Sequence, residues 1–259
     1  MASQPQGQRR RLVVGNWKMN GTREDNTRLL QGILGGWTAL ESVDVAICPA
    51  FVHIPQVAES LKGSQLHWGG QSTNPHEAGA YTGEVSAAML ADLGCRYVII
   101  GHNERRRLRG ETDDYVAEQF LAVQRAGLVP ILCVGETIEQ RESGQALATI
   151  GAQLDVVRNA AGLEAFEHAV VAYEPIWAVG TGKTATPDEA EQVHAYIREQ
   201  FGELGRQLTI LYGGSVKSHN AAELFQLQDI DGALLGGASL EANEFLAICR
   251  HAEQAGKRS

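Results

Sequence analysis

The chain has 259 residues, 44% hydrophobic and 20% charged, with 22 basic against 31 acidic side chains for a formal charge of -9. This suits a soluble globular protein with a substantial core and excludes a fibrous or disordered chain. The acidic balance argues against nucleic acid and anionic membranes as partners, so any anionic ligand must be held by local donors.

Residues 1–10 are polar and run into Arg9-Arg10-Arg11, with no apolar stretch behind them to serve as a signal peptide or membrane span. They predict a flexible N-terminal tail on a cytoplasmic protein. Cys48, Cys95, Cys133 and Cys249 are widely spaced, with no C-x-x-C pair and no histidine completing a zinc pattern. Isolated thiols in a reducing compartment are the expectation.

Short β-rich apolar runs then recur: Leu12 to Gly15, Val43 to Cys48, Leu66 to Gly69, Tyr97 to Gly101, Val129 to Val134, Ala169 to Tyr173, Leu208 to Tyr212 and Gly232 to Leu235. Stretches of helical spacing lie between them. In Asp114 to Arg125 the apolar Val116, Phe120 and Val123 share one face, and Pro187 to Phe201 opens on Thr186, Pro187 and Glu189, an N-cap, N1 and capping-box arrangement. Strand-helix units without a linker predict an α/β fold, a single-domain (β/α)8 barrel with parallel strands over residues 11–252, followed by a C-terminal tail over 253–259. An open doubly wound sheet would usually carry a Gly-rich turn after its first strand, whereas this turn reads Gly15-Asn16-Trp17-Lys18. The connection from Gly70 to Ser86 is long for a compact domain, which points to a partner contact or a lid.

In a parallel barrel the active site forms where strands end, and the residues after these runs are polar: Asn16 and Lys18, Gln71, His102, Glu136, Glu174, Gly213-Gly214-Ser215 and Gly236-Gly237. Glu174 follows a buried strand and precedes Pro175-Ile176-Trp177, a setting that desolvates a carboxylate enough for general-base work. Taken alone it reads equally as a helix cap, but the apolar, Gly-rich stretch behind it has the composition of a lid. His102 at a strand end is more often structural, yet it would share the mouth with Glu174 and act there as electrophile or acid. Lys18 supplies a full positive charge close behind a strand. The two glycine turns expose backbone N–H groups suited to phosphate, at the barrel position where such sites recur.

Through Asn16-Trp17-Lys18-Met19-Asn20, Gly101-His102, Ala172 to Lys183, Tyr212-Gly213-Gly214-Ser215 and Leu235-Gly236-Gly237-Ala238-Ser239, the chain closely resembles the triosephosphate isomerase family. The resemblance implies an enzyme interconverting dihydroxyacetone phosphate and glyceraldehyde 3-phosphate in glycolysis and gluconeogenesis, with no cofactor and no metal. It implies Glu174 as the base, His102 as the group polarising the carbonyl, and Lys18 with Asn16 binding substrate. Gly180, Ser215, Gly236 and Gly237 would bind the phosphate. The lid would comprise Pro175, Ile176, Trp177, Ala178, Val179, Gly180, Thr181, Gly182, Lys183 and Thr184. A homodimer is implied through the long loop, with Gln71, Thr82, Glu84, Glu104 and Arg105 at the contact. Asn103 stands where most members carry serine against the catalytic carboxylate.

Other phosphosugar barrels would share the phosphate turns. A class I aldolase needs a Schiff-base lysine where this chain has Glu174, and a metal-dependent epimerase needs clustered ligands where only His102 is evident. A non-catalytic phosphate-binding scaffold would have lost Lys18, His102 or Glu174, and all are present.

Overall fold

The computed structural model describes residues 9–178 and 185–257. Eight parallel strands close into a barrel in chain order. They are β1 (Arg11–Asn16), β2 (Val43–Cys48), β3 (His67–Gly70), β4 (Tyr97–Ile100), β5 (Val129–Val134), β6 (Val170–Tyr173), β7 (Thr209–Tyr212) and β8 (Gly232–Leu235). Each expected run contains a strand, with ends differing by a residue or so, and the expected (β/α)8 architecture is the observed one. No helix among the described residues is long and apolar enough to cross a membrane.

The strands read as continuous apolar runs because both faces are covered. Alternate residues diverge, as the twofold side-chain period requires. Leu12, Val14, Ala46, Cys48, Ile99, Ile131, Cys133, Ala172 and Leu211 form an inner cluster filling the lumen. Their neighbours Val13, Val45, Ile47, Val98, Leu132, Val171 and Ile210 turn outward into a second cluster with helix residues such as Leu30, Ile33, Phe120 and Ile197. The seam between β1 and β8 pairs Leu12 with Gly232, which has a φ of +148°, and a Cβ there would lie 1.9 Å from the Leu12 carbonyl oxygen. Only glycine lets the barrel close at that point.

Capping sets the helices. Helix Pro187–Glu199 begins on the expected Thr186–Glu189 capping box, and helix Asp113–Arg125 is capped by the Thr112 side chain. Both expected tails are partly anchored. Arg9 reaches Asp231 at 2.7 Å and Arg10 reaches Asp44 at 2.5 Å. At the other end the last helix spans Ala242–Gly256, so Glu253 to Gly256 belong to it and not to a tail beginning at 253. Burial pushes the Glu253 carboxyl up, but N–H donors from Ser42 and Glu41, the Ser42 hydroxyl and Lys257 outweigh it and hold the group down at about 2.

His194, in helix Pro187–Glu199, is fully buried between the rings of Tyr173 and Tyr212, with Nδ1 donating to the Ala190 carbonyl at 2.7 Å. Burial pushes its pKa down from 6.5 to about 4. A histidine depressed on folding stabilises the native state fully above its unfolded value, and the contribution is lost as pH falls from about 6.5 through about 4. A shift of this size corresponds to about 3 kcal/mol. Denaturant unfolding across that window should therefore show a loss about 3 kcal/mol smaller in His194→Gln than in the unmodified chain. Parallel curves would show that His194 does not titrate on unfolding.

Candidate active site

The carboxyl ends of the strands surround a cavity of about 620 Å³. Asn16 and Lys18 enter it from β1, His102 to Glu104 from β4, and Glu174 with Ile176 from β6. Gly213 to Lys217 follow β7, and Gly236 to Ala238 follow β8. The structure thus brings together the expected Asn16, Lys18, His102, Glu174, Ser215, Gly236 and Gly237. Gly180 lies outside the described residues, as do Val179, Thr181, Gly182, Lys183 and Thr184.

Glu174 is 2% exposed and receives three hydrogen bonds. His102 Nε2 lies 2.9 Å from Oε1, Asn103 Nδ2 donates to Oε1 at 2.6 Å, and the Asn103 backbone N–H donates to Oε2 at 2.9 Å. Burial opposes its charge, yet His102 and the Asn103 donors outweigh burial and hold the carboxyl below its ordinary value. The carboxylate is ionised at neutral pH. Space beside it is tight, since a Cβ on Gly213 would come within 2.9 Å of Glu174 Cγ.

His102 caps helix Asn103–Arg109, its Nδ1 accepting the Glu104 backbone N–H at 3.2 Å. A backbone N–H can only donate, so Nδ1 carries no proton and the ring hydrogen sits on Nε2, facing Glu174. Burial lowers the His102 pKa, and the Glu174 charge and hydrogen bond reverse this, leaving a net rise in the resting arrangement. The Glu104 charge adds to that rise. Burial and the helix N-terminus act in the opposite sense and favour the neutral ring.

Lys18 has a φ of 53°, the left-handed conformation, alone among non-glycine residues described. Such a backbone costs about 1–2 kcal/mol and is kept where surroundings enforce it. Here Asn16 Oδ1 accepts the Lys18 N–H at 3.0 Å, and Gln71 Nε2 donates to the Lys18 carbonyl at 2.9 Å. The ammonium pairs with Glu104 Oε1 at 2.6 Å.

At the root of the expected lid, Trp177 Nε1 donates to Glu136 Oε1 at 2.9 Å, and Tyr173 OH donates to the same oxygen at 3.0 Å. Arg141 reaches that oxygen at 3.2 Å, and its guanidinium lies over the Trp177 ring, 4.5 Å from the centroid. Glu136 is fully buried. Sequence reasoning placed it at a strand end without a role, and Arg141 had no signal at all, since its partners come from three separate segments.

The five residues expected at a subunit contact divide between two places. Gln71 and Glu104 hold Lys18 in the first cavity. Glu84 and Arg105 line a second cavity of about 640 Å³ with Phe51, Glu111 and Tyr115, and Thr82 is exposed. Among the described residues no group of three His, Cys, Asp or Glu side chains is placed to hold a metal ion.

A sequence model of the family described as triosephosphate isomerase matches residues 11–252. The chain is 53% identical to a triosephosphate isomerase of Nitrosococcus oceani over 245 residues, covering 93% of this chain and 98% of that protein. It is 54% identical over 248 residues to one of Dechloromonas aromatica, covering 94% and 99%. The chain belongs to the triosephosphate isomerase family. Membership of the triosephosphate isomerases accounts for the coincidence of a strained lysine, a buried carboxylate and glycine turns at one barrel mouth.

The Asn103 amide reaches the carboxylate without displacing the backbone N–H bond. Asn103→Ser keeps that N–H and offers a shorter hydroxyl donor. Steady-state kinetics should show kcat/KM altered by less than about tenfold, the range of one exchanged hydrogen bond to a charged group. Complete inactivation of a folded variant would mean that the amide takes part in the chemistry.

Proposed function

We propose that the chain is a triosephosphate isomerase that moves a proton between the adjacent carbons of dihydroxyacetone phosphate and glyceraldehyde 3-phosphate through an enediolate. The observation carrying this reading is the buried, ionised Glu174 beside an Nε2-protonated His102 in a cavity that Lys18 and two glycine turns also line.

Glu174 leaves its resting donors and takes a proton from the carbon next to the carbonyl. His102 Nε2–H points at the carbonyl oxygen and offsets charge as the C–H electron pair moves into the enediolate. Lys18 adds a full positive charge beside that oxyanion. His102 Nε2 gives its proton to that oxygen and takes one from the neighbouring hydroxyl, while Glu174 returns the carbon-bound proton to the adjacent carbon, so no external acid or oxidant is consumed. Asn16 sets the Lys18 backbone, and the N–H groups of Ser215, Gly236 and Gly237, with Gly180, bind the phosphate. Pro175 to Thr184 act as a lid pivoting on the Trp177–Glu136 contact, and closure keeps water from the enediolate. The setting of this reading is cytoplasmic.

Purified protein should interconvert the two triose phosphates in a coupled assay with chelator present. The sharpest test is Glu174→Asp. It keeps the carboxylate but withdraws it by about 1 Å, a displacement that costs on the order of 100-fold in rate. The loss should fall on kcat, with KM changed far less, because phosphate is held independently of the base. Wild-type turnover in a folded Glu174→Asp protein would remove the base assignment.

The assembly proposed is a homodimer in which the Gly70 to Ser86 loop of one subunit, through Thr82, enters a pocket beside Asn16 and Lys18 of the other. Supporting it, Met19, Val52, Met89 and Leu108 are large apolar side chains more than half exposed, at 95%, 81%, 54% and 67%. Deleting the loop tip from Gly79 to Gly83 should give a monomer of reduced activity by light scattering and assay. A fully active, monodisperse monomer would refute the contact.

A further inference from the structure

We infer that Arg107 is a capture residue for dianionic phosphate ligands at the rim of the active-site cavity, an assignment that rests on the triose phosphate reading of that cavity. Helix Asn103–Arg109 carries four arginines. Arg105 is held by Glu111 at 2.7 Å, and Arg106 by Asp113 at 2.5 Å. Arg109 faces the second cavity. Arg107 is exposed, lines the active-site cavity, and makes no ion pair or hydrogen bond among the described residues.

That lack of a partner follows from competition within the site. The carboxylate nearest to Arg107 along the helix surface is Glu104, three residues back, a spacing at which ion pairs normally form. Glu104 is instead taken by Lys18. The other cation lining the cavity, Lys217, acts on Glu244, whose pKa it helps to lower. Lys18 and Lys217 thus each have a carboxylate nearby, and Arg107 has none among the described residues.

A chain with a net charge of -9 repels a dianion at long range. An uncompensated cation at a concave mouth reverses that field locally, because low-dielectric walls focus it. Arginine suits this role. It stays charged at every relevant pH, and its fork of N–H donors can grip two phosphate oxygens at once. Arg107 lies one helical turn beyond Asn103, on the face that presents Asn103 to Glu174. It therefore acts on ligand entry and leaves proton transfer to Glu174 and His102.

The test compares Arg107→Gln, Arg107→Lys and Arg206→Gln with the unmodified protein, each checked for an unchanged unfolding midpoint. Arg206 is exposed, pairs with Glu203 at 3.0 Å, and precedes β7 at the end of the barrel away from the mouth, so its loss changes net charge equally but elsewhere. At low ionic strength Arg107→Gln should lower kcat/KM for glyceraldehyde 3-phosphate about three- to tenfold with kcat within about twofold. The gap should close as salt rises towards about 0.5 M, where exposed charges are screened. Arg107→Lys should recover most of the loss, and Arg206→Gln should show none. The proposal is overturned if Arg107→Gln matches the unmodified protein at low salt, if Arg206→Gln loses as much, or if the loss falls on kcat. Calorimetric titration with inorganic phosphate at low salt decides the matter without turnover. Weaker binding in Arg107→Gln than in Arg206→Gln supports the capture role even where the isomerase reading has failed, and equal affinities end it.

Discussion

The site depends on one constraint, a carboxylate held ionised where water cannot reach it. Glu174 sits at the end of a buried strand, and its charge persists only because His102 and both nitrogens of Asn103 are aimed at it. A buried carboxylate without such donors would take up a proton and cease to be a base. The same contacts govern His102, whose pKa the Glu174 charge and hydrogen bond raise against burial. In the proposed mechanism, turning Glu174 towards a substrate would do two things at once. It would deliver the base, and it would take away the charge that raises the histidine's pKa, favouring the neutral form that can share an Nε2 proton with a carbonyl.

Electrostatics elsewhere in the mouth follow a similar logic of paired groups that must exchange partners. Lys18 is held in a strained backbone by Asn16 and Gln71, so its ammonium is positioned by groups outside its own strand. Glu104 pairs with that ammonium. A dianion entering the cavity competes with Glu104 for that charge, and the anionic surface of the chain gives it no general assistance.

The fold was legible in the sequence because strands buried on both faces stand out as apolar runs, and polar residues at their ends stand out against them. Asn16, Lys18, His102, Glu174, Ser215, Gly236 and Gly237 could be found this way, since the barrel topology alone converges them. The end of the last helix was not legible, because Glu253 faces Ser42 from more than two hundred residues away and its burial depends on that contact. Nor was the Arg141–Glu136–Trp177 cluster, built from the connections after β5 and β6, whose proximity no local pattern encodes. The likeness to a family suggested residue roles, while the strained backbone of Lys18 and the lack of a partner for Arg107 among the described residues emerged only from geometry.

The division of the core into a lumen and an outer shell has a consequence for how this sequence can drift. A residue on the outer face of a strand packs against a helix, and helices can shift by fractions of an ångström to absorb an added methyl group. The lumen has no such movable wall. Ala46, Cys48, Cys133 and Ala172 fill a closed ring whose circumference is fixed by strand pairing. An enlargement at one of them must be matched by a reduction on a facing strand, which is often remote in sequence. Tolerated changes inside the barrel should thus arise as compensated sets across it, whereas those outside can accumulate singly.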